Sequence, residues 1–218
     1  MKAKIIGVTA PKGEHKTAQD LIVYMARVSN PANQRSNSDP SKLIKYCINN
    51  QHWSIFEMVN VVMELETTRD IARQILRHRS FSFQEFSQRY ADPTKDLGFE
   101  LREARLQDTK NRQNSIETDD RELQAEWKIK QVNLIAEAKN AYDWAIANGI
   151  AKEQARSVLP EGNTQSRLYM NGTLRSWIHY CQLRMANGTQ KEHMELAAAC
   201  WKAINEDFPD VIKALEQE

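Results

Sequence analysis

Apolar and polar positions along this chain follow two periods. Val59, Val61, Met63 and Leu65 alternate with Asn60, Val62, Glu64 and Glu66, which predicts a strand with one mainly apolar face. Lys4 to Thr9 reads as an earlier strand, ended by Pro11-Lys12-Gly13, and Gln165 to Met170 as a short later one. Elsewhere the period is helical. Thr17 to Ser29 reads as a helix. Asp39-Pro40 starts another, with proline at its first position, and Leu43, Ile44, Cys47 and Ile48 supply its buried stripe. Thr67 or Thr68 is placed to cap a helix whose inner side is Ile71, Ala72, Ile75 and Leu76.

From Ser80 to Asn114 the pattern is irregular, with a turn at Asp92-Pro93. A long helix follows from about Asp119 to Asn148, with capping-box spacing between Asp119 and Glu122 and a stop at Asn148-Gly149. Lys152 to Val158 is a short helix, and Glu161-Gly162-Asn163 a turn. Thr173 caps a helix reaching Ala186, stopped by Asn187-Gly188. Thr189 to Glu192 has the T-x-x-E form of a capping box and opens a helix with Met194, Ala197, Trp201 and Ile204 inward. No repeat or linker interrupts the series. The expectation is one helix-rich α+β domain over residues 1–218, with a small sheet and long helices.

Composition narrows what such a domain does. Lys and Arg number 30 against 29 Asp and Glu, so bulk attraction to nucleic acid is not expected and any anion site must be local. Cys47, Cys181 and Cys200 are widely spaced and lack a C-x-x-C pair, which argues against a disulfide framework or a zinc site; at helical spacing among apolar residues they read as buried thiols. No apolar run approaches membrane-spanning length. A soluble, cytoplasmic protein is expected.

The local chemistry concentrates in Arg77 to Tyr90, "RHRSFSFQEFSQRY". Arg77 and Arg79 are permanent cations whose planar forks suit phosphate, and His78 can donate, accept or stack. Gln74, three residues before Arg77, shares a helix face with it. Ser82, Gln84, Glu85, Ser87, Gln88 and Arg89 add hydroxyls, amides, a carboxylate and another cation. The strip can hold a phosphate and read the polar edge of a heterocycle. Taken by itself it fits a solvated helix end as well as it fits a nucleotide site. Arg175 and His179 are four apart and share a face, whereas Arg184, nine positions from Arg175, points roughly the opposite way at about 100° per residue. A helix with ligand groups on both faces suits sites shared between chains.

Arg77-His78-Arg79, seven residues and then Ser87 resembles the R-H-R-x7-S signature of the flavin-dependent thymidylate synthases. Ordered blocks extend the resemblance: "ARVSN" from Ala26, "HWSIFE" from His52, "IARQILRHR" from Ile71, "ARSVLP" from Ala155 and "RSWIHYCQLR" from Arg175. The resemblance implies an α/β fold with long helices and a homotetramer with active sites at subunit interfaces. It implies synthesis of dTMP from dUMP, with methylenetetrahydrofolate as carbon donor and FAD, re-reduced by NADPH, as hydride source. It carries flavin-site roles to His52, Ser54, Arg77, His78, Arg79, Glu85, Thr173, Leu174, Arg175 and His179. It carries the dUMP site to Gln74, Leu76, Arg77, Glu85, Phe86, Ser87, Gln88, Arg89, Arg156 and Arg184. Arg184 matches the arginine that polarises the uracil ring, a catalytic role of oxyanion-site type. No metal is implied.

Some positions depart from the family pattern. Ile55 stands where proline is usual, Met58 where histidine is common, and Gln88 where glycine is frequent. Glu161 to Thr173 departs most. Two other readings compete: a different flavoprotein or nucleotide-modifying enzyme on the same scaffold, and a small RNA-binding module with Phe81 and Phe83 stacking bases.

Overall fold

The computed structural model describes residues 1–36 and 39–216. Its centre is a four-stranded antiparallel sheet of order β1-β2-β6-β3, built from β1 (Lys2–Val8), β2 (Asn60–Thr68), β3 (Ser82–Glu85) and β6 (Gln165–Thr173). The alternation predicted for β2 is observed: Val59, Val61, Met63 and Leu65 are fully buried while Asn60 is exposed. β6 runs on through Asn171, Gly172 and Thr173, beyond the predicted strand, because Asn60, Val61 and Val62 pair with all three.

Helices cover the buried face. They are α1 (Ala18–Ala26), α2 (Pro40–Asn49), α3 (Arg69–Ile75), α7 (Leu174–Met185), α8 (Lys191–Asp207) and α9 (Pro209–Leu215). Ile22, Ile44, Phe56, Ile71, Ile75, Trp177, Cys181, Leu196, Cys200, Ile204 and Phe208 join the strand residues in the main core. Trp177 Nε1 donates to the Val61 carbonyl at 3.0 Å, which ties α7 to the central strand. The three cysteines are buried and free, as their spacing predicts.

Local signals place most helix starts. Asp39 accepts from Ser41 N at 2.9 Å with Pro40 at the first helical position, Thr17 forms a capping box with Asp20, and Thr173 accepts from Ser176 N at 3.2 Å. Gly149, at φ 78°, follows α5 (Arg121–Ala147) in the left-handed conformation that glycine adopts without a Cβ penalty.

Several boundaries differ from expectation. α1 stops at Ala26, short of Ser29. The cap of α5 is Asp120, which accepts from Leu123 N at 3.0 Å, and not Asp119. Thr68 precedes α3 but makes no capping bond, because its hydroxyl is held between Asp70 and Arg102. The T-x-x-E box does not form: α8 is preceded by Gln190, and Arg102 and Arg105 hold the Glu192 carboxylate instead. On α8, Met194 and Trp201 are only half-buried; His193, Leu196, Ala197, Cys200 and Ile204 line its inner face.

The segment read as irregular contains β3, the short α4 (Pro93–Asp96), and β4 (Arg105–Gln107), which pairs with β5 (Ser115–Glu117). These elements have only three or four residues, too few to establish a period. The short α6 (Lys152–Ala155) and a 3-10 turn, Arg156–Val158, lead toward β6. α5 meets them through a small second cluster of Tyr142, Ala145, Ala155 and Leu159.

Candidate active site

The signature triplet follows the end of α3. Leu76 closes the helix, half-buried, with its N–H on the Ala72 carbonyl. The chain then turns, and Phe81 leads into edge strand β3. Phe81 lies against Trp177 with ring centroids 4.9 Å apart. A Cβ added at Gly172 would come within 2.4 Å of that ring, so β6 needs glycine where the signature segment crosses it. Phe81 is therefore committed to the protein's own packing, which removes one stacking platform from the RNA-binding reading.

Around the triplet the structure brings together Gln74, His78 and Arg184. Arg184, in the last turn of α7, donates from Nε to His78 Nε2 at 2.9 Å. The His78 ring stands edge-to-face on Tyr180 at 4.9 Å. Burial first, and then the Arg184 and Arg77 cations, push the His78 pKa down to about 4. His78 is thus neutral near pH 7, accepts at Nε2 and carries its proton on Nδ1. The terminal nitrogens of Arg184 have no carboxylate partner among the described residues. Arg77 and Arg79 are likewise exposed and outside any ion pair among those residues.

Gln74 reaches α8. Its Nε2 donates to Gln190 Oε1 at 2.8 Å, and its Oε1 is 3.2 Å from His193 Nδ1. His193 Nε2 is 3.0 Å from the Tyr180 hydroxyl. Sequence reasoning missed Tyr180, Gln190, Glu192 and His193. No local pattern in the sequence marks Glu192 and His193; their burial side by side on the inner face of α8 emerges only in the fold.

A second group surrounds Glu85. Its carboxylate accepts from Ser166 Oγ at 2.8 Å and from Arg69 at 3.4 Å. Arg69 is buried at the start of α3 and also faces Glu161 at 3.8 Å; neither Arg69 nor Ser166 was singled out from the sequence. Arg69, Arg73, Gln88, Glu153, Arg156, Ser157, Leu159 and Glu161 line a cavity of about 330 Å³. Gln88 is only 4% exposed, yet its Nε2 has no hydrogen-bond partner among the described residues. A buried unpaired donor beside three arginines suits an anion. Phe86 N donates to the Arg167 carbonyl at 2.8 Å. Ser87 Oγ accepts from Arg89 N at 3.4 Å, and the exposed Arg89 side chain faces Glu153 at 3.5 Å.

A third group lies on the other side of α7. Arg175 pairs with Glu57, and the His179 ring stands edge-on to Trp53 at 5.1 Å. Burial first, then Arg175, lowers the His179 pKa. Both contacts reach the 3-10 turn Trp53–Glu57, which carries exposed Ser54 and follows exposed His52. Thr173 caps α7. Leu174 is fully buried, and its N–H donates to the Val59 carbonyl at 2.8 Å. Helix α7 thus presents Arg175 and His179 to one neighbourhood and Arg184 to another, as the nine-residue spacing predicts.

Comparison with known proteins bears on this arrangement. Residues 13–210 match the family model described as thymidylate synthase complementing protein. The chain is 51% identical over 217 residues, 99% of both chains, to a probable flavin-dependent thymidylate synthase of Paramecium bursaria Chlorella virus 1. This chain belongs to the flavin-dependent thymidylate synthase family. It is also 48% identical over 220 residues to the flavin-dependent thymidylate synthase of Synechocystis sp., covering 99% of this chain and 100% of that one. A crystal structure of a UMP/dUMP methylase from Streptomyces cacaoi, bound with 5-Br dUMP, has the same fold. Its TM-score is 0.78 at 23% identity, over 99% of this chain and 94% of that chain.

Proposed function

We propose that this chain converts dUMP to dTMP as a flavin-dependent thymidylate synthase, in which methylenetetrahydrofolate supplies the carbon and FAD, re-reduced by NADPH, supplies the hydride. The observation that carries this reading is the meeting of Arg184 with His78 inside a family-matched chain, with the Arg184 terminal nitrogens left for a ligand. In this reading the uracil ring must become electron-rich before its carbon attacks the folate methylene, with negative charge gathering at its ring nitrogen and carbonyl. Arg184 stabilises that charge, and neutral His78 fixes the guanidinium plane from behind. The uracil carbon gives up its proton to solvent as the methylene is transferred and its bond to tetrahydrofolate breaks; a bound reduced flavin would supply the hydride that completes the methyl group.

The cationic groups divide the anionic load. FAD brings a diphosphate and dUMP a monophosphate. Arg77 and Arg79 would hold the flavin, together with His52, Ser54, Arg175 and His179. Gln88, Arg89 and Arg156 serve the dUMP phosphate, with Ser87 as a binding hydroxyl. No thiolate is required, in keeping with three buried free cysteines.

The separation of the three groups within one chain supports a homotetramer whose subunits complete each other's sites. Exposed Leu123, Trp127 and Leu134 supply a contact surface: on α5 they fall within about 40° of one another at about 100° per residue. Residues 1–218 act as one domain in this reading, in the cytoplasm; among the described residues no helix is long and apolar enough to cross a membrane.

The test is tritium release from dUMP labelled at the uracil 5-position, with methylenetetrahydrofolate, NADPH and purified protein loaded with FAD. Release coupled to dTMP formation is expected. Bound flavin without release would overturn the reading in favour of a different flavoprotein.

A further inference from the structure

The side chains of Glu192, Gln190, Gln74, His193 and Tyr180 form one unbroken hydrogen-bonded chain, and its direction can be derived from one end. The Glu192 carboxylate faces Arg102 and Arg105. Burial works against its charge, but its own backbone N–H, Arg102, Gln190 and Arg105 outweigh that and keep it ionised. An ionised carboxylate only accepts. The Gln190 contact to Glu192 Oε2 at 2.9 Å must therefore come from the Gln190 amide nitrogen. That leaves Gln190 Oε1 to accept from Gln74 Nε2 at 2.8 Å. Gln74 Oε1 then accepts from His193 Nδ1 at 3.2 Å, which places the imidazole proton on Nδ1. His193 is completely buried, and burial, followed by the Arg184 and His78 charges, lowers its pKa to about 3. The ring is neutral, so Nε2 accepts from the Tyr180 hydroxyl at 3.0 Å.

Every donor in this chain points toward Glu192. One consequence falls on Gln74, which is half-buried beside the His78–Arg184 pair: the His78 and His193 ring centroids are 6.5 Å apart. With Oε1 committed to His193 and one N–H committed to Gln190, the amide cannot flip without placing two acceptors or two donors face to face. Its second N–H has no partner among the described residues.

We infer that His193 is a positioning residue for the nucleotide site, holding the Gln74 amide in the one orientation that offers an N–H to an acceptor oxygen of dUMP. This rests on the reading of the chain as a dUMP-converting enzyme. His193 touches no ligand itself. It acts through Gln74, 119 residues away in sequence, and Glu192 supplies the fixed end of the chain.

Two substitutions separate this role from a merely structural one. In His193→Asn the amide nitrogen takes the place of Nδ1 and can still donate to Gln74, while the partner of Tyr180 is lost. In His193→Gln the amide reaches the Nε2 position, keeps Tyr180 and loses the donor to Gln74. The expected result is a rise of roughly tenfold in the KM for dUMP in His193→Gln, the weight of one hydrogen bond. Turnover and flavin content should change little. His193→Asn should recover most of that loss. Equal KM values in the two variants, or a loss confined to kcat, would overturn the proposal. Nitrogen-15 shifts of histidine-labelled parent protein give a second measurement that needs no variant. His193 should read as a neutral ring protonated at Nδ1 from pH 6 to 8. A ring protonated at Nε2, or an imidazolium, would overturn the proposal as well. Absence of tritium release from the parent would instead count against the dUMP reading and leave the nitrogen-15 result to judge the chain's direction.

Discussion

The Arg184 Nε–H donates to His78 Nε2 at 2.9 Å across 106 residues of sequence, and the pair joins the end of α7 to the signature triplet. Burial, and then the Arg184 and Arg77 charges, keep His78 neutral, and the bond fixes the plane of the guanidinium. An arginine held in this way presents its remaining N–H groups in a set direction, as stabilisation of a developing charge requires.

Arg184→Ala should therefore lower turnover by about 10²–10³-fold, and Arg184→Lys should recover little, since an ammonium lacks the planar fork. Arg89, exposed against Glu153, should behave differently. Arg89→Ala should raise the KM for dUMP with little change in kcat, the mark of uniform binding. Steady-state kinetics at saturating folate and reductant, corrected for flavin content, decide the matter. Wild-type turnover in Arg184→Ala at saturating dUMP would remove Arg184 from ring activation.

Folding stability should fall as pH drops from about 6.5 toward 4. His78 and His193 have folded pKa values near 4 and 3 against an ordinary 6.5. Between those limits the unfolded chain binds protons that the folded chain refuses. Stability therefore rises with pH across this window, by up to about 1.4 kcal/mol per pH unit for each histidine. Urea unfolding at pH 6 and pH 5, where most carboxylates are still ionised, should show the slope. His78→Asn should show a smaller slope than the parent. Identical slopes would mean that His78 is not held neutral.

Gly172→Ala should destabilise the protein by about 1–3 kcal/mol, the usual range for an overfilled core. The added methyl would meet the Phe81 ring, which is pinned against Trp177. Combining it with Phe81→Leu should cost less than the sum of the two single changes, because the smaller side chain makes room. A strictly additive double mutant in chemical denaturation would show that the ring is not the obstacle.

Replacing Cys47, Cys181 and Cys200 together with alanine should leave turnover intact in the folded protein. Cys181 and Cys200 are completely buried, and burial raises both thiols far above the range where a thiolate forms near pH 7. Thiol titration of the native parent should find both slow to react. A flavin-loaded triple variant that binds dUMP and makes no dTMP would contradict a thiol-free mechanism.

Leu134→Glu should lower the assembled mass in light scattering and reduce activity with it. Leu134, Trp127 and Leu123 form an apolar stripe on α5 that the rest of the described chain leaves exposed. Full activity in a monomeric variant would refute shared sites.

The sequence by itself determined the elements with enough length to show a period, and the chemistry that stands contiguous in the chain. The alternation from Val59 to Leu65 marked the central strand, because burial on one face of a pleat repeats every second residue. Asp39-Pro40 marked a helix start, because the capping groups lie within one turn. Arg77 to Ser87 pointed to nucleotide chemistry through its resemblance to the family signature, which is readable because those residues are neighbours in sequence; the strip by itself fits a solvated helix end equally well. Tertiary structure alone decided which polar group each side chain would meet. Glu192 has the spacing of a capping residue, yet Arg102 and Arg105 take its carboxylate. Thr68 was placed to cap α3, yet its hydroxyl serves Asp70 and Arg102. Edge strand β3 exists because β6 offers it a partner, not because four residues carry a period. Glu85 is held by Arg69 and Ser166, and Gln74 by Gln190 and His193, from positions 16 to 119 residues away. Periodicity reports whether a position is buried, since that depends on its own element. The partner of a buried polar atom depends on which other element the fold brings within 3 Å, and no local window of sequence contains that.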